Sequence, residues 1–199
     1  MSQIVLTSDP LGTTTAGALE YDGVALYATP TASQRGVIMA EQIILLQAAY
    51  TLTSQTAAQK LFNTPASGQV TLSVGTYEFE CFYSLSSLSS TSGAFGFALG
   101  GTATFTQFFQ SLAIRNGTVS SPTAPNTTYN IAANTNISGN STATTGYANI
   151  SGIINVSVTG TIIPQVSLGI AAAAIVGIGS YFRIRPIGST TVTSVGAWT

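Results

Sequence analysis

Two glutamates, two residues apart, are the strongest candidates for chemistry in this sequence. Glu78 and Glu80 lie in the run TYEFECFYSL, whose alternating apolar residues predict a β-strand. On a strand, side chains at this spacing face the same side, about 6.5–7 Å apart. The carboxyl groups of an inverting glycosidase are roughly 6.5–9.5 Å apart, and one acts as the acid while the other acts as the base. Cleavage of a polysaccharide is therefore one hypothesis for this pair.

Two arginines with the same spacing offer a different interpretation of these glutamates. Arg183 and Arg185 lie in SYFRIRP, a second alternating run that ends at Pro186. Carboxylates at this spacing are common on the solvated faces of strands, and two opposite doublets on neighbouring strands form cross-strand ion pairs. We therefore favour ion pairing over catalysis and predict that the protein is not an enzyme.

Other catalytic and ligand-binding sites lack the residues they need. The chain has no histidine, which excludes His-based triads and His-containing zinc sites. Cys81, the one cysteine, alternates with aromatic residues and is interpreted as a small buried hydrophobe. Asp9 and Asp22 are isolated, so no calcium loop is present, and the Gly-rich run at residues 96–101 lacks the lysine of a phosphate loop. We predict no catalytic, metal-binding or cofactor-binding residues and no cofactor.

The composition excludes two classes of partner. Charged residues make up 6% of the chain, and the net charge is −1. A nucleic-acid-binding protein needs clustered cations to neutralise phosphates, and five Lys and Arg residues cannot supply them. The uncharged run at residues 166–182 is at the short limit of a membrane span, and its glycines favour two buried strands joined by a turn. We predict neither a nucleic-acid partner nor membrane insertion.

The remaining composition is typical of a protein on a particle. Ser, Thr, Asn, Gln and Gly replace the missing charges, and a net charge near zero favours association. The first residues, MSQIVL, have neither the basic region nor the long apolar stretch of a secretory signal. We therefore expect synthesis in a host cytoplasm and a final location on a virion surface.

A period of two dominates the chain from Val70 onward. Short alternating runs, separated by clusters of Gly, Ser, Asn and Pro, predict an all-β fold, an antiparallel β-sandwich or jelly roll. Residues 40–50 fit either a helix or a strand, because their apolar residues lack amphipathic spacing. We place a boundary near residue 50, with an N-terminal segment at residues 1–50 and the jelly-roll domain at residues 51–199.

The N-terminal segment contains a predicted hairpin, GALEYDGVALYATP. Asp22-Gly23 is the dipeptide that best tolerates the positive φ angles of a two-residue turn, and strand-like residues flank it. An isolated hairpin is marginally stable, so we expect this one to dock on its own globular part, on sister subunits or on a larger particle. The residues predicted to attach the segment to a virion are Leu19, Tyr21, Asp22, Gly23 and Tyr27.

Six segments in sequence order carry a resemblance to a known family. They are GALEYDGVALYATPTASQRGVI, YTLTSQTAAQKLFN, GTYEFECFYSLSSLSSTSGAFGFALGGTAT, TTGYANISG, TIIPQVSLG and GSYFRIRPIGSTTVTSVGAWT. Together they resemble tailed-bacteriophage structural proteins, usually labelled tail-fibre or minor structural proteins. The resemblance implies a jelly roll similar to the tumour-necrosis-factor and complement globular-head folds, which assemble as three-fold trimers. It also implies that the hairpin joins this knob to a shaft or to the virion.

The aromatic residues independently favour a trimer. Nine Phe and eight Tyr are many for a small sandwich, and Phe79 and Phe82 lie on opposite faces of one strand. An outward apolar face becomes an interface in a closed trimer. The alternative is a two-layer core with a few exposed aromatic residues. The predicted trimer interface consists of Phe79, Phe82, Phe105, Phe108 and Phe109.

The leading hypothesis is a non-enzymatic virion surface protein. It is a homotrimeric knob that residues 1–50 anchor to capsid or tail proteins, with a decoration, cement or short-spike role, because only some fifty residues precede the knob. The alternative is a tail-fibre knob that recognises a host surface glycan or protein through loops at residues 86–93 and 116–146. Tyr129 and Tyr147 are then the candidate stacking residues. A polysaccharide depolymerase that uses the two glutamates is the remoter alternative.

Overall fold

The computed structural model describes residues 4–31, 34–63, 68–118, 121–122, 126–130, 136–137 and 142–190. All regular structure within these ranges is β-strand, and every strand pairing is antiparallel. The strands form a small N-terminal sheet and two larger sheets that enclose an apolar core. The prediction of an all-β antiparallel sandwich is confirmed.

The N-terminal sheet has three strands in the order β1-β2-β3. They are β1 (Ala18–Tyr21), β2 (Leu26–Thr29) and β3 (Gly36–Ile38). The large sheet has nine strands. They are β4 (Gln42–Leu45), β5 (Tyr50–Thr51), β8 (Gly75–Ser86), β10 (Thr104–Thr118), β11 (Ser121–Pro122), β12 (Asn126–Asn130), β14 (Gly146–Val158), β16 (Ile175–Val176) and β17 (Tyr181–Gly188).

The facing sheet has five strands. They are β6 (Gln59–Lys60), β7 (Val70–Leu72), β9 (Phe95–Gly101), β13 (Asn136–Ile137) and β15 (Gly160–Leu168). In the large sheet, the long strands lie side by side in the order β10-β14-β8-β17-β4. Strand β4 lies upstream of residue 50 and pairs with β17, so part of the chain before residue 50 belongs to this sheet.

The core forms because alternate residues of the central strands point between the two sheets. Along β8, buried residues alternate with half-buried residues from Gly75 to Ser86. Phe79 lies at the centre, and its ring is 6.1–6.4 Å from the rings of Phe97, Phe108 and Phe182. Cys81 is fully buried in the same row, and burial raises the pKa of its thiol. The interpretation of this cysteine as a buried hydrophobe is confirmed.

The structure also shows which elements form in three stretches that the sequence analysis discussed. Residues 40–50 contain β4 and the start of β5, and no helix. Residues 166–182 contain the end of β15, the two-residue β16 and the start of β17, so the stretch is built from strands as predicted but from three segments and not two. Among the described residues, the fold contains no helix that is long and apolar enough to cross a membrane. Residues 116–146 were expected to form a loop, but they contain β11, β12 and β13, so that expectation was wrong.

Candidate functional site

The charged and aromatic residues of interest lie on the side of the large sheet that points away from the core. We call this side the outer face. Its residues follow from the register, because directly opposed residues share one side of a sheet. One row across the strands places Arg183, Glu80, Ser151 and Ser111 side by side. The next rows are Arg185, Glu78, Ile153 and Phe109, and Tyr181, Phe82, Asn149 and Ala113.

The two glutamates and the two arginines form a ladder of ion pairs. Arg185 donates to Glu78 Oε2 from Nη2 at 2.6 Å and from Nε at 2.9 Å. Arg183 donates to Glu80 Oε2, and the Tyr181 hydroxyl donates to Glu80 Oε1. The prediction that the doublets pair across neighbouring strands is confirmed, in direct register.

This ladder opposes a catalytic role for the glutamate pair. The hydrogen bond from Tyr181, together with Arg183, lowers the pKa of Glu80 even though partial burial acts in the opposite direction. The acid of a glycosidase needs a raised pKa so that it still carries a proton near neutral pH. Glu80 is therefore ionised where an acid catalyst must be protonated, and Glu78 already accepts two bonds from Arg185.

Aromatic side chains cluster beside the ladder. The ring of Phe82 is 6.1 Å from that of Tyr181 and 6.4 Å from that of Tyr147. All three residues are half-buried, because each ring covers part of its neighbour. Tyr147 was expected in or beside a loop, but it lies in β14 opposite Ser84. Tyr129 lies in β12 at the register position opposite Ser111.

Exposed apolar residues lie on the outer face to either side of the ladder and the aromatic cluster. At one edge, Ile43 and Leu45 of β4 are 59% and 50% exposed, opposite Arg183 and Tyr181. On the other side, Ile153 and Phe109 are 42% and 36% exposed and oppose each other. The three aliphatic residues were not predicted as surface residues, although the alternation of β14 was a signal for Ile153.

A shallow, open depression of about 290 Å³ lies on the outer face beside Glu78, Phe109 and Ile153. Three of the residues that line it are small: Ser111, Ser151 and Gly152. The residues that line it are Glu78, Phe109, Gln110, Ser111, Ser151, Gly152 and Ile153.

The five predicted interface residues divide between the core and the surface. Phe79 and Phe108 are 1% and 4% exposed and lie inside the sandwich, so they are not available to a partner subunit. Phe105 is half-buried against the core, with its ring 5.9 Å from that of Phe108. Phe82 and Phe109 lie on the outer face. The expectation is corrected for the two buried residues.

The N-terminal hairpin has a longer loop than predicted. Tyr21 pairs with Leu26, so four residues connect β1 and β2 in place of a two-residue turn. The Asp22 Oδ1 atom accepts the amide protons of Val24 at 2.9 Å and Ala25 at 2.8 Å, which closes the loop. Gly23 has a φ of 96°, a conformation that side chains disfavour. The side chain of Asp22 therefore stabilises a four-residue loop, whereas the Asp-Gly dipeptide had predicted a two-residue turn.

The hairpin docks on its own sandwich through the same carboxylate. Asp22 Oδ2 accepts hydrogen bonds from the Tyr27 hydroxyl and from the backbone amide of Ser189, both at 2.9 Å. Burial alone would raise the pKa of Asp22, but these bonds and the two loop bonds lower it below its ordinary value. Val24 packs on Gly75, where an added Cβ would lie 2.7 Å from Val24 Cγ1.

Most of the predicted attachment residues are therefore engaged within the chain. Tyr27 is fully buried, and the Tyr21 hydroxyl donates to the carbonyl of Gly23. Asp22 and Gly23 form the docked loop. Leu19 differs from them, because it is 61% exposed on the opposite side from Tyr27.

A second polar contact, which the sequence analysis missed, ties the segment before β1 to the sheet. Arg35 donates to Glu20 from Nε at 2.8 Å and to the Gly12 carbonyl from Nη2 at 2.6 Å. The Gly12 amide donates to Glu20 Oε1 at 3.0 Å. The sequence offered one indication of this pair, namely that a chain with few charged residues carries a glutamate and an arginine in the same short segment.

The described residues contain no group of three or more side chains suited to bind a metal ion. Comparison with protein-family models, with curated proteins and with solved structures finds no match to this chain.

Proposed function

We propose that this protein is a non-enzymatic structural protein of a tailed-phage virion. It is a trimeric surface knob, anchored by its N-terminal segment to capsid or tail, with a decoration, cement or short-spike role. The observation that carries this proposal is the outer face, which combines exposed aliphatic and aromatic side chains with charges that are already paired within the chain. The resemblance to phage structural proteins supplies the virion setting.

The charges of the outer face suit contact with copies of the same chain. A surface with a net charge repels its own copy, whereas a locally neutral one does not. Three acidic and three basic residues lie on or beside this face: Glu41, Glu78, Glu80, Arg115, Arg183 and Arg185. Contact between subunits would therefore bury Ile43, Leu45 and Ile153 beside charges that sum to zero. Both glutamates of the ladder are paired with arginines within the chain.

The N-terminal region suits attachment through the residues that precede β1. Ile4 and Val5 are 90% and 77% exposed and lie ahead of the docked hairpin. The hairpin itself is bonded to Ser189 of the sandwich, so force applied to the preceding segment is transmitted to the knob. Ile4 and Val5 thus replace Tyr21, Asp22, Gly23 and Tyr27 as the proposed virion contacts.

The alternatives have less support. The glycan-binding hypothesis needs exposed stacking residues in loops, whereas Tyr147 lies in a strand with its ring against Phe82. The depolymerase hypothesis needs a protonated acid, whereas Glu80 is held ionised by Tyr181 and Arg183.

The trimer is tested by native mass spectrometry of the purified chain. The expected mass is about three times 20.3 kDa, and a mass of a single chain at micromolar concentration would reject the trimer. Leu45→Lys on the outer face should shift the population toward monomer. Val158→Lys is the matched control, because Val158 is 54% exposed and lies on the core side of β14 by alternation. Equal effects of the two variants would reject the outer face as the interface.

The virion setting is tested separately by electron microscopy of intact particles with gold-labelled antibody against the knob. Label spread over the head supports a decoration or cement role, and label confined to the tail supports a tail role. Absence of label from particles that contain the protein by mass spectrometry would contradict a surface location.

A further inference from the structure

Two features of different shape lie on opposite sides of the outer face. At the β4 edge, Ile43 and Leu45 are 59% and 50% exposed; we call these two apolar residues the ridge. On the β10 and β14 side lies the depression of about 290 Å³, where Ser111 and Ser151 oppose each other. Four strand spacings, about 19 Å, separate β4 from β10. The ridge therefore cannot fill the depression of its own chain.

Each feature also has a charged side chain beside it that is weakly neutralised within the chain. Arg115 lies on the outer face of β10, opposite Tyr147, and takes part in none of the ion pairs found among the described residues. Glu41 directly precedes β4, and its Oε2 atom is 3.9 Å from Nη1 of Arg183. That arginine already donates to Glu80 through its other two nitrogens. One acidic and one basic side chain are thus available to a partner.

The charged residue and the apolar contact have the same spacing in both features. Glu41 precedes Leu45 by four residues, and Arg115 follows Ser111 by four residues. Extended residues advance about 3.3 Å each, so each pair spans about 13 Å. A second copy whose β4 lies antiparallel to β10 therefore places its Leu45 in the depression beside Ser111. In the same alignment, its Glu41 meets Arg115.

We propose that the trimer forms by a repeated contact in which the ridge of each copy lies in the depression of the next, and Glu41 pairs with Arg115 of the neighbour. The inference rests on the proposed trimer and adds which two surfaces meet. Because the ridge and the depression are different surfaces, a copy that gives its ridge to one neighbour still offers its depression to another. Such a contact is heterologous, and heterologous contacts close into rings.

The contact removes from water the apolar surface that a single chain leaves exposed. Phe109 and Ile153 line the depression and are 36% and 42% exposed, so they form an apolar wall for Leu45 of the neighbour. Ile43 of the neighbour then lies over Ala113, whose small side chain leaves room for it. The charged pair lies at the end of this apolar contact, where partial removal of water strengthens its attraction.

Charge reversal in the full chain tests the pairing. Glu41→Arg and, separately, Arg115→Glu place like charges opposite each other, so each should raise severalfold the concentration at which the trimer dissociates. Native mass spectrometry over a dilution series measures this concentration. The double variant restores an opposite pair with exchanged signs and should recover the trimer. Asp9→Arg is the matched control, because it reverses an exposed carboxylate on the N-terminal segment and should leave the trimer unchanged.

Ser151→Trp tests the depression without a change of charge. Ser151 is exposed, so a larger side chain is tolerated by the monomer but occupies the depression. The variant should favour the monomer, as Leu45→Lys on the ridge does. An equimolar mixture of the two variants retains one intact ridge and one intact depression, so it should form a species of two chains, one of each kind. Circular dichroism checks that every variant is folded.

The outcomes separate this contact from the trimer itself. A monomeric wild-type chain would reject the trimer and the contact with it. A wild-type trimer that neither the charge reversals nor Ser151→Trp weakens would reject the contact and leave the trimer standing. Single reversals that weaken the trimer without recovery in the double variant would reject the pairing of Glu41 with Arg115. If a reversed charge prevents folding, Ser151→Trp and its mixture with Leu45→Lys still decide whether ridge and depression meet.

Discussion

The sandwich and the N-terminal sheet are stabilised by different kinds of interaction. The sandwich encloses a continuous apolar core, with Phe79 in contact with rings from both sheets. The N-terminal sheet depends on polar contacts, in which Asp22 accepts four hydrogen bonds and Glu20 pairs with Arg35. Apolar burial therefore stabilises the large domain, whereas two carboxylates, Glu20 and Asp22, fix the smaller sheet in place.

The largest expected effect is loss of the central core side chain. Phe79→Ala should lower the free energy of unfolding by about 3–5 kcal/mol, because a large cavity remains between the sheets. Phe82→Ala on the other face of the same strand is the control, and it should cost clearly less in the monomer. Urea unfolding of both variants checks this difference. Equal costs would show that the two faces of β8 are not distinguished as the alternation indicates.

The next effect concerns the carboxylate that docks the hairpin. Asp22→Asn removes the Oδ2 acceptor that serves Tyr27 and Ser189. Leaving a buried donor without its partner costs about 1–3 kcal/mol. Amide hydrogen exchange should therefore accelerate in β1–β3 and stay slow in β8 and β14. Asp9→Asn, at an exposed carboxylate, is the control. Uniform acceleration in both sheets would mean that the N-terminal sheet does not open independently.

Acidic pH should also destabilise the N-terminal sheet while the sandwich remains stable. The pKa of Asp22 is lower in the folded chain than its ordinary value of 3.8. Its stabilising contribution is therefore complete above about pH 4 and is lost as the pH falls through the folded pKa. Exchange of the β1–β3 amides should accelerate in this acidic range while the core of the sandwich stays protected. In Asp22→Asn, this acid-dependent acceleration should be smaller, because the Asp22 carboxylate no longer contributes to it.

The smallest effect is expected on the outer face. Glu78 is 45% exposed, so its pair with Arg185 contributes only about 0.2–1 kcal/mol. Glu78→Gln should therefore barely change urea unfolding, and neither it nor Glu80→Gln should alter any activity on polysaccharide. Loss of a polysaccharide-cleaving activity in Glu80→Gln would contradict the structural role of the ladder and revive the depolymerase hypothesis.

Several features of the fold could be predicted because they depend on neighbours in sequence. The alternation of β8 separates Phe79 from Phe82, and the matching doublets of glutamate and arginine predicted a ladder that the register confirms. The loop length of the hairpin could not be predicted, since the Asp22 side chain reaches Val24 and Ala25 and stabilises a wider loop.

The candidate interface could be predicted only in part, because it depends on how β10 pairs with β14. Phe105 and Phe108 are three residues apart, a spacing that puts them on opposite faces of a regular strand. An irregularity in the pairing of β10 with β14 adds a residue between them, so that they oppose Val156 and Ile154 and share the core side. Bulges depend on both strands of a pair and leave little trace in one of them.

Composition and periodicity were enough to predict the class of the fold and the kinds of chemistry that the chain lacks. An absence of histidine and a charged fraction of 6% hold in any conformation, and period-two alternation requires strands. Which surface remains exposed depends on how the strands pack together. The edge position of β4 leaves Ile43 and Leu45 exposed, and the bond from Ser189 to Asp22 joins residues 167 positions apart in sequence. Such contacts depend on which strands become neighbours, and that choice is made by the packing of the whole core.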